Sequence, residues 1–459
     1  MPHVRQSISE RPTARRVRVP GSGALLQEGP LKTFAGARAA LERRQIDKFR
    51  RLVAHASRAS PYYAEIIKAN GISVATCTPS DFPLLTKDEA IRHFDRIVTT
   101  PAVTRSRVEH FLRGSTDPFE LFDGQYVVVT SSGTSGLPGI SIYSAAEFAA
   151  GMKSARLIPM PAFDAARKIR IAYVGVVTTH RAALTMLGNL LRADNRARFE
   201  LLTVSINKSW QDIVDTLNDF RPDGLAAYAS ALRELADRKA SGELNVNPVF
   251  LEAFSEVLTK IDRAAIEHAF AAPLLNIYGS GECLQMGFGW RDDAMSLFED
   301  NLIFELGEDY TAVTNLFNHT MPLIRYRFDD VLIKADQQAG KSPYIKIREV
   351  IGRSEFDLHL ENDLGRRETV SSHALLSFNI FGLKQYQLIV TGTKRFKIRV
   401  CFERHLGSTE RHNAKQHLGS EVAHMLRTKQ MSKVEFFIEE VPELPVDSQT
   451  GKFRYVCYA

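Results

Sequence analysis

Three observations on the 459-residue sequence predict an α/β fold: a large N-terminal domain with mainly parallel sheets plus a β subdomain, then a small mobile α+β domain. First, from Lys168 onward, short apolar runs ("IRIAYVGVV", "FELLTV", "GLAAY", "PVFLEAF", "LLNIY") alternate with helical stretches such as "AALTMLGNLLR" and "KIDRAAIEHAF". That rhythm implies right-handed crossovers onto parallel strands. Second, after Tyr278 the chain turns strand-rich, through "LFEDNLIFEL", "YTAVTNLF", "PLIRYRFDDVLIKA" and "YIKIREVIGR", which reads as a β subdomain packed on the sheet. Third, beyond Arg353 come paired strands "YQLIVTG" and "RFKIRVCFE", an amphipathic helix near residues 409–427 and a last strand "VEFFIEEV". A unit of about 100 residues can hold its own core.

The remaining elements follow in chain order. Residues 1–30 read as a disordered basic arm, in which five arginines before residue 20 face a single acid, Glu10. Its first 20 residues alone carry +4 of the formal net charge of +6, so the basic balance is no argument for nucleic acid as a partner. From Leu41 the residues Ile46, Phe49, Val53 and Ala56 recur at helical spacing until Ser60 and Pro61 stop the pattern, which predicts a peripheral helix. The large domain is expected over 31–353 and the small lid domain over 354–459. No apolar run approaches the ~18 residues of a membrane span, so no membrane partner is expected. The four cysteines, Cys77, Cys283, Cys401 and Cys457, lie far apart with no CxxC pair. They suggest neither a disulfide framework nor a zinc site, and fit a reducing cytoplasm.

The stretch "YVVVTSSGTSGLPGISIY" places a loop of Ser, Thr and Gly between two strand candidates. Hydroxyls and unencumbered backbone N–H groups there can wrap an anion, because glycine lets the main chain approach closely. The loop lacks the GK[ST] ending of a nucleotide-triphosphatase P-loop, so that class is disfavoured. For the loop standing alone, the lesser alternative is a flexible hairpin turn. It is followed, in order, by "NIYGSGE" (276–282), "PLIRYRFDD" (322–330), "VIGRSE" (350–355) and "LPVDSQTGKFR" (444–454).

These stretches together resemble the successive core motifs of the acyl-adenylate-forming (AMP-binding) superfamily. "SPYYAEIIKANGI", "FPLLTKDEAIRHF", "PDGLAAYASALRELA", "AFSEVLTKIDRAAIEHAF" and "VSSHALLSFNIFGLKQYQLIV" resemble its phenylacetate-CoA ligase branch, including CapK-like relatives, from about Asp47 to the end. The resemblance implies ATP, Mg2+ and CoA as cofactors and a small-molecule carboxylic acid as substrate, aromatic or short by the small, apolar pocket segments. An amine or a carrier protein stays open as the acceptor, as does a homodimer. A degenerate, non-catalytic nucleotide-binding protein is the remaining alternative.

Because a carboxylate is already ionised at neutral pH, adenylation needs no general base; positioning and charge neutralisation carry it. By resemblance, Ser131, Ser132, Gly133, Thr134, Ser135 and Gly136 hold phosphates, and Glu282 binds Mg2+. Tyr278 stacks on adenine, with Ser255, Glu256 and Gly279 also at the nucleotide, while Asp330 takes the ribose hydroxyls. Arg353 approaches ribose or phosphate from the hinge, and Lys452 supplies the mobile charge between carboxylate and α-phosphate. The acyl pocket is expected at Val176, His180, Tyr228, Ser280 and Gly281, with Cys283 as lining rather than nucleophile. Five positions depart from the superfamily's usual pattern: Gly139 for a lysine, Gly281 for a hydroxyl residue, Asp329 for a glycine, and Glu355 with Phe356 for an acidic pair.

Overall fold

The computed structural model describes residues 34–115, 117–130, 139–158, 167–177, 180–193, 199–290, 294–335, 342–351, 358–370, 380–402, 406–444 and 456–458. The arm at 1–30, the loop residues 131–136, the boundary at 353/354, Arg353 and Lys452 lie outside them.

Helix α1 (Phe34–Ala59) meets α2 (Pro61–Ala69) at Ser60, whose hydroxyl accepts the Tyr63 N–H. A hydroxyl cap followed by proline starts a helix cleanly, because the N–H that proline lacks would have no helical partner there. Phe49, Val53 and Ala56 are fully buried, so the helix read as peripheral is a wall of its own core. That core includes α3 (Lys87–Arg92), α4 (Phe94–Ile97), α5 (Arg105–Gly114), and Leu323, Ile324 and Tyr326 from much later in the chain.

Strands β1 (Tyr126–Thr130) and β2 (Ile140–Ser144) form an antiparallel hairpin with Thr130 opposite Ile140. The ends of the glycine-rich stretch are therefore held side by side. Helix α6 (Ala145–Met152) starts at once on a Ser144/Glu147 capping box.

The predicted alternation then appears: β3 (Ile169–Gly175), α7 (Ala182–Ala193), β4 (Phe199–Ser205), α8 (Trp210–Phe220), β5 (Gly224–Tyr228), α9 (Ala229–Ala240), β6 (Phe250–Phe254), α10 (Lys260–Phe270) and β7 (Leu274–Ser280). These strands pair in parallel in the order β4-β3-β5-β6-β7. Strands buried on both faces read as continuous apolar runs, and β5, with β3 from Ile171 onward, does so. Strand β8 (Leu284–Trp290) folds back on β7 through a bulge at Tyr278/Gly279, and β9 (Met295–Leu297) pairs with β8.

The strand-rich stretch divides in two. β10 (Leu302–Leu306), β11 (Thr311–Asn315) and β12 (Tyr326–Phe328) form a separate antiparallel sheet. β13 (Val331–Lys334) and β14 (Lys346–Ile351) instead join β9 and complete a nine-stranded sheet. Alternation along a strand marks which face is buried but not which strand pairs with it, so the sequence alone merged the two groups.

Past residue 357, β15 (Leu358–Glu361) and β16 (Arg367–Val370) form a hairpin. β17 (Leu383–Gly392), β18 (Arg395–Phe402), α11 (Ser408–Thr428), β19 (Glu435–Glu440) and β20 (Val456–Tyr458) build a four-stranded sheet in the order β19-β18-β17-β20, with the helix packed against it. Strand β20, not anticipated from the sequence, runs parallel to β17 soon after Lys452. This part meets the large sheet around Lys429, a fully buried cation. Its Nζ donates to the carbonyls of Ile206 (2.7 Å) and Lys208 (3.1 Å), while Glu368 accepts the Trp210 N–H at 3.4 Å. Among the described residues no helix is long and apolar enough to cross a membrane.

Candidate active site

In open α/β sheets, ligands collect beyond the carboxyl ends of the parallel strands. Those ends are here Gly175–Val176, Tyr228, Ser255–Glu256 and Ser280–Gly281, so the topology gathers at one sheet edge residues spread over more than a hundred positions. The Val176 N–H donates to the Tyr228 hydroxyl at 3.2 Å, and both residues are buried. Burial pushes the Tyr228 phenol up to about 12, so it stays a neutral polar group. Ser255 adopts a left-handed φ of 65°, sending the chain sharply off β6. Glu256 accepts the Ser230 N–H at 2.8 Å in the first turn of α9, where the helix dipole favours an anion.

Tyr278, the predicted adenine platform, and Asp330, the predicted ribose acceptor, are brought together: the Tyr278 hydroxyl donates to Asp330 Oδ2 at 3.0 Å. Burial first, and then the Asp330 charge, hold the phenol well above its usual range, so it remains a donor. Gly279 sits in the bulge, where a Cβ would come within 2.7 Å of the Leu284 carbonyl oxygen. Only glycine fits that approach without moving the backbone. Asp329 turns toward Arg327, whose Nε lies 3.9 Å away, so the residue standing where the superfamily has glycine makes its ion pair outside the Tyr278–Asp330 contact.

Glu282 is 8% exposed, and Tyr326 donates to its Oε1 at 3.3 Å. Asn315 donates to its backbone carbonyl at 3.0 Å, and Tyr143 donates to the Gly281 carbonyl at 2.7 Å. The Ser280 hydroxyl accepts the Cys283 N–H at 3.1 Å. A cavity of about 20 Å³ adjoins Glu282, bounded also by Gly139, Ser141 and Tyr326 at the root of the glycine-rich loop. That is room for one water or one small cation. Mg2+ is characteristically held by one or two carboxylates plus substrate phosphates rather than by an all-protein cage, so a lone buried carboxylate beside such a space suits it. Among the described residues there is no group of three or more His, Cys, Asp or Glu that could hold a metal by themselves.

His180 is 1% exposed, and its carbonyl accepts both the N–H (2.7 Å) and the hydroxyl (3.0 Å) of Thr130, the last residue before the loop. Its Nε2 lies 3.0 Å from the Ser115 hydroxyl and its ring packs on Phe111. Burial lowers its pKa, so the ring is neutral at pH 7. These contacts make His180 an anchor for the loop root. Burial, followed by Glu282, raises the Cys283 thiol well above its usual range, consistent with lining rather than nucleophilic use.

Tyr143, Tyr326 and Asn315 were not singled out from the sequence. Tyr326 carried a signal, since it lies inside "PLIRYRFDD" four residues before Asp330. The partner of Tyr143 is a backbone carbonyl 138 residues away, which no local pattern shows.

No family model matches the chain. A 150-residue stretch is 28% identical to Protein CapK of Staphylococcus aureus, spanning 31% of this chain and only 33% of that protein. Among solved structures, 2-hydroxyisobutyryl-CoA ligase with its acyl-AMP and CoA in the thioesterification state superposes with a TM-score of 0.58 at 14% identity, over 92% of this chain and 90% of that one. An open form of the same ligase gives 0.54 at 13% identity over 95% and 96%. The chain has the fold of 2-hydroxyisobutyryl-CoA ligase. That likeness extends over both the nine-stranded part and the small sheet around α11, which agrees with the architecture read from the sequence.

Proposed function

We propose that the protein activates a carboxylic acid with ATP as an acyl-adenylate and then transfers the acyl group to the thiol of CoA. The observation that carries the reading is the convergence, at one sheet edge, of Tyr278 on Asp330 and of Glu282 beside an ion-sized space at the loop root. The similarity to a ligase whose structure contains an acyl-AMP and CoA supports the same reading.

In this proposal the acid's carboxylate oxygen attacks the α-phosphorus, and pyrophosphate leaves with the electron pair of the broken P–O bond. No proton moves, so the protein's task is to position and to neutralise. Asp330, held by Tyr278, fixes the ribose; Glu282 would hold Mg2+, which would neutralise phosphate charge; residues 131–136 grip phosphate; Arg353 approaches from the hinge and Lys452 from the small domain. Val176 and Tyr228 wall the acyl pocket. We assign 31–353 to the large domain and 354–459 to the lid, whose rotation separates the two half-reactions.

Carboxylate-dependent pyrophosphate exchange into ATP, run across aromatic, aliphatic and amino acids, tests the reading. Exchange with one acid class, lost in Lys452→Ala, is expected. Lys452→Ala retains transfer from preformed acyl-adenylate, and the supplied acceptors (CoA, amines, a carrier protein) identify the second step. ATP binding with no exchange for any acid would overturn the proposal in favour of a non-catalytic nucleotide-binding protein.

A further inference from the structure

A second, larger cavity lies away from the Tyr278–Asp330 cleft. It measures about 570 Å³ and opens between α1, α6 and the turns that follow β9 and β11. Its inner wall includes Phe317, whose ring stacks on Tyr143 at 6.0 Å, and Tyr143 in turn holds the Gly281 carbonyl. The aromatic pair therefore stands between this space and the Glu282 motif. The volume falls within the range of small-molecule sites, about 300–1,000 Å³.

Its charges are unequal in availability. The two lining carboxylates are already committed. Glu147 accepts from the Ser144, His319 and Thr320 N–H groups and from the Thr320 hydroxyl, at 2.7–2.9 Å. Asp300 accepts from the Tyr344 hydroxyl at 2.7 Å and lies 3.9 Å from Arg44. Lys48 donates to the Asp300 carbonyl and to Asn301 Oδ1. Arg51 and Lys153, also in the lining, form no ion pair among the described residues; Arg51 Nε reaches only the Asp47 carbonyl. Burial and the neighbouring cations Arg44, Arg51 and Lys153 lower the Lys48 pKa, which reports the same positive field. His319 is neutral at pH 7 because burial and then His55 lower its pKa. His55 Nε2, against the His319 ring, is buried and has no hydrogen-bond partner.

We propose that this cavity binds a small organic phosphate. Arg51 and Lys153 take the phosphate oxygens, and the body of the ligand rests on Ala146, Ala150, Leu316 and Phe317. A guanidinium fork matches phosphate geometry, and an ammonium adds a point charge beside it. The inference stands independently of the adenylation reading, because none of these residues belongs to that cleft.

The test is calorimetric titration of the full chain with phenyl phosphate, with inorganic phosphate alongside. Wild type is expected to bind phenyl phosphate more tightly than inorganic phosphate. Arg51→Ala and Lys153→Ala should each weaken it by about tenfold or more, the loss of one charge-assisted contact. Both side chains are exposed, so the variants keep their core, and a melting curve verifies this. Asp330→Ala should leave the affinity unchanged. Absent binding to wild type, equal affinity in the double variant, or loss of binding in Asp330→Ala overturns the proposal.

Discussion

Tyr278→Phe removes one oxygen from the candidate nucleotide site and keeps the ring. In the native protein that oxygen donates to Asp330 Oδ2 at 3.0 Å, with the phenol held protonated by burial. A hydrogen bond to an ionised group contributes about 1.5–3 kcal/mol. Without it Asp330 loses one of its tethers, and part of its ordering must be supplied when nucleotide binds. That cost converts to an increase of roughly ten- to a hundredfold in KM for ATP. The reacting atoms lie elsewhere, so kcat should change by less than about threefold, the pattern of lost uniform binding. Pyrophosphate exchange against ATP concentration measures both. Asp330→Asn and the double variant close a cycle whose coupling should be of order 1 kcal/mol or more. An unchanged KM, or a fall in kcat at constant KM, would refute the assignment of this pair to the nucleotide.

Three other substitutions separate structural from functional roles. Burial raises the Glu252 carboxyl to about 7, above its usual range, so the folded protein holds a proton that the unfolded chain has released. Stability from this group is full below the unfolded value and falls as pH rises toward 7, and Glu252→Gln should gain on the order of 1–3 kcal/mol relative to wild type at pH 8, with no gain near pH 4, in urea unfolding. A pH-independent difference would sink that account. Lys429→Met breaks both bonds to the Ile206 and Lys208 carbonyls and strips a cation from beside Glu368. A loss of about 2–4 kcal/mol is expected by denaturant titration, and wild-type stability would show the contact to be dispensable. His180→Ala should lower the melting temperature by several degrees yet leave acid selectivity unchanged, because the ring meets Ser115 and Phe111; altered selectivity would refute this and support His180 in the acyl pocket.

The parallel half of the large sheet was legible because β5, and β3 from Ile171 onward, are buried on both faces and their sequences are correspondingly uninterrupted. The helix near 409–427 was legible for the complementary reason: Ala414, Leu418, Val422 and Met425 keep one buried stripe. What the sequence withheld was partnership. β13 and β14 are short strands like β10 and β11 yet belong to a different sheet, and β20 is three residues long, too short to show a period. At the candidate site, Asp330, Tyr278 and Glu282 were named from motif context, while the groups that hold the backbone around Glu282 were not. Tyr143 and Asn315 act on backbone carbonyls, and a carbonyl is present at every residue, so its partner leaves no trace in side-chain pattern.

This bears on the departures from the superfamily pattern. Exposed Asp329 makes an ion pair with half-buried Arg327, whereas Tyr278 bonds Asp330, so an added charge at 329 need not disturb that bond. Gly281 is different, since it removes a hydroxyl from the turn that carries Glu282. Its carbonyl is tied to Tyr143, the following carbonyl is tied to Asn315, and Ser280 closes the turn on the Cys283 N–H. The backbone course around Glu282 is thus set by neighbours that survive the substitution. What glycine gives up at 281 is one potential hydrogen bond to a ligand, about 1 kcal/mol, rather than the placement of the carboxylate.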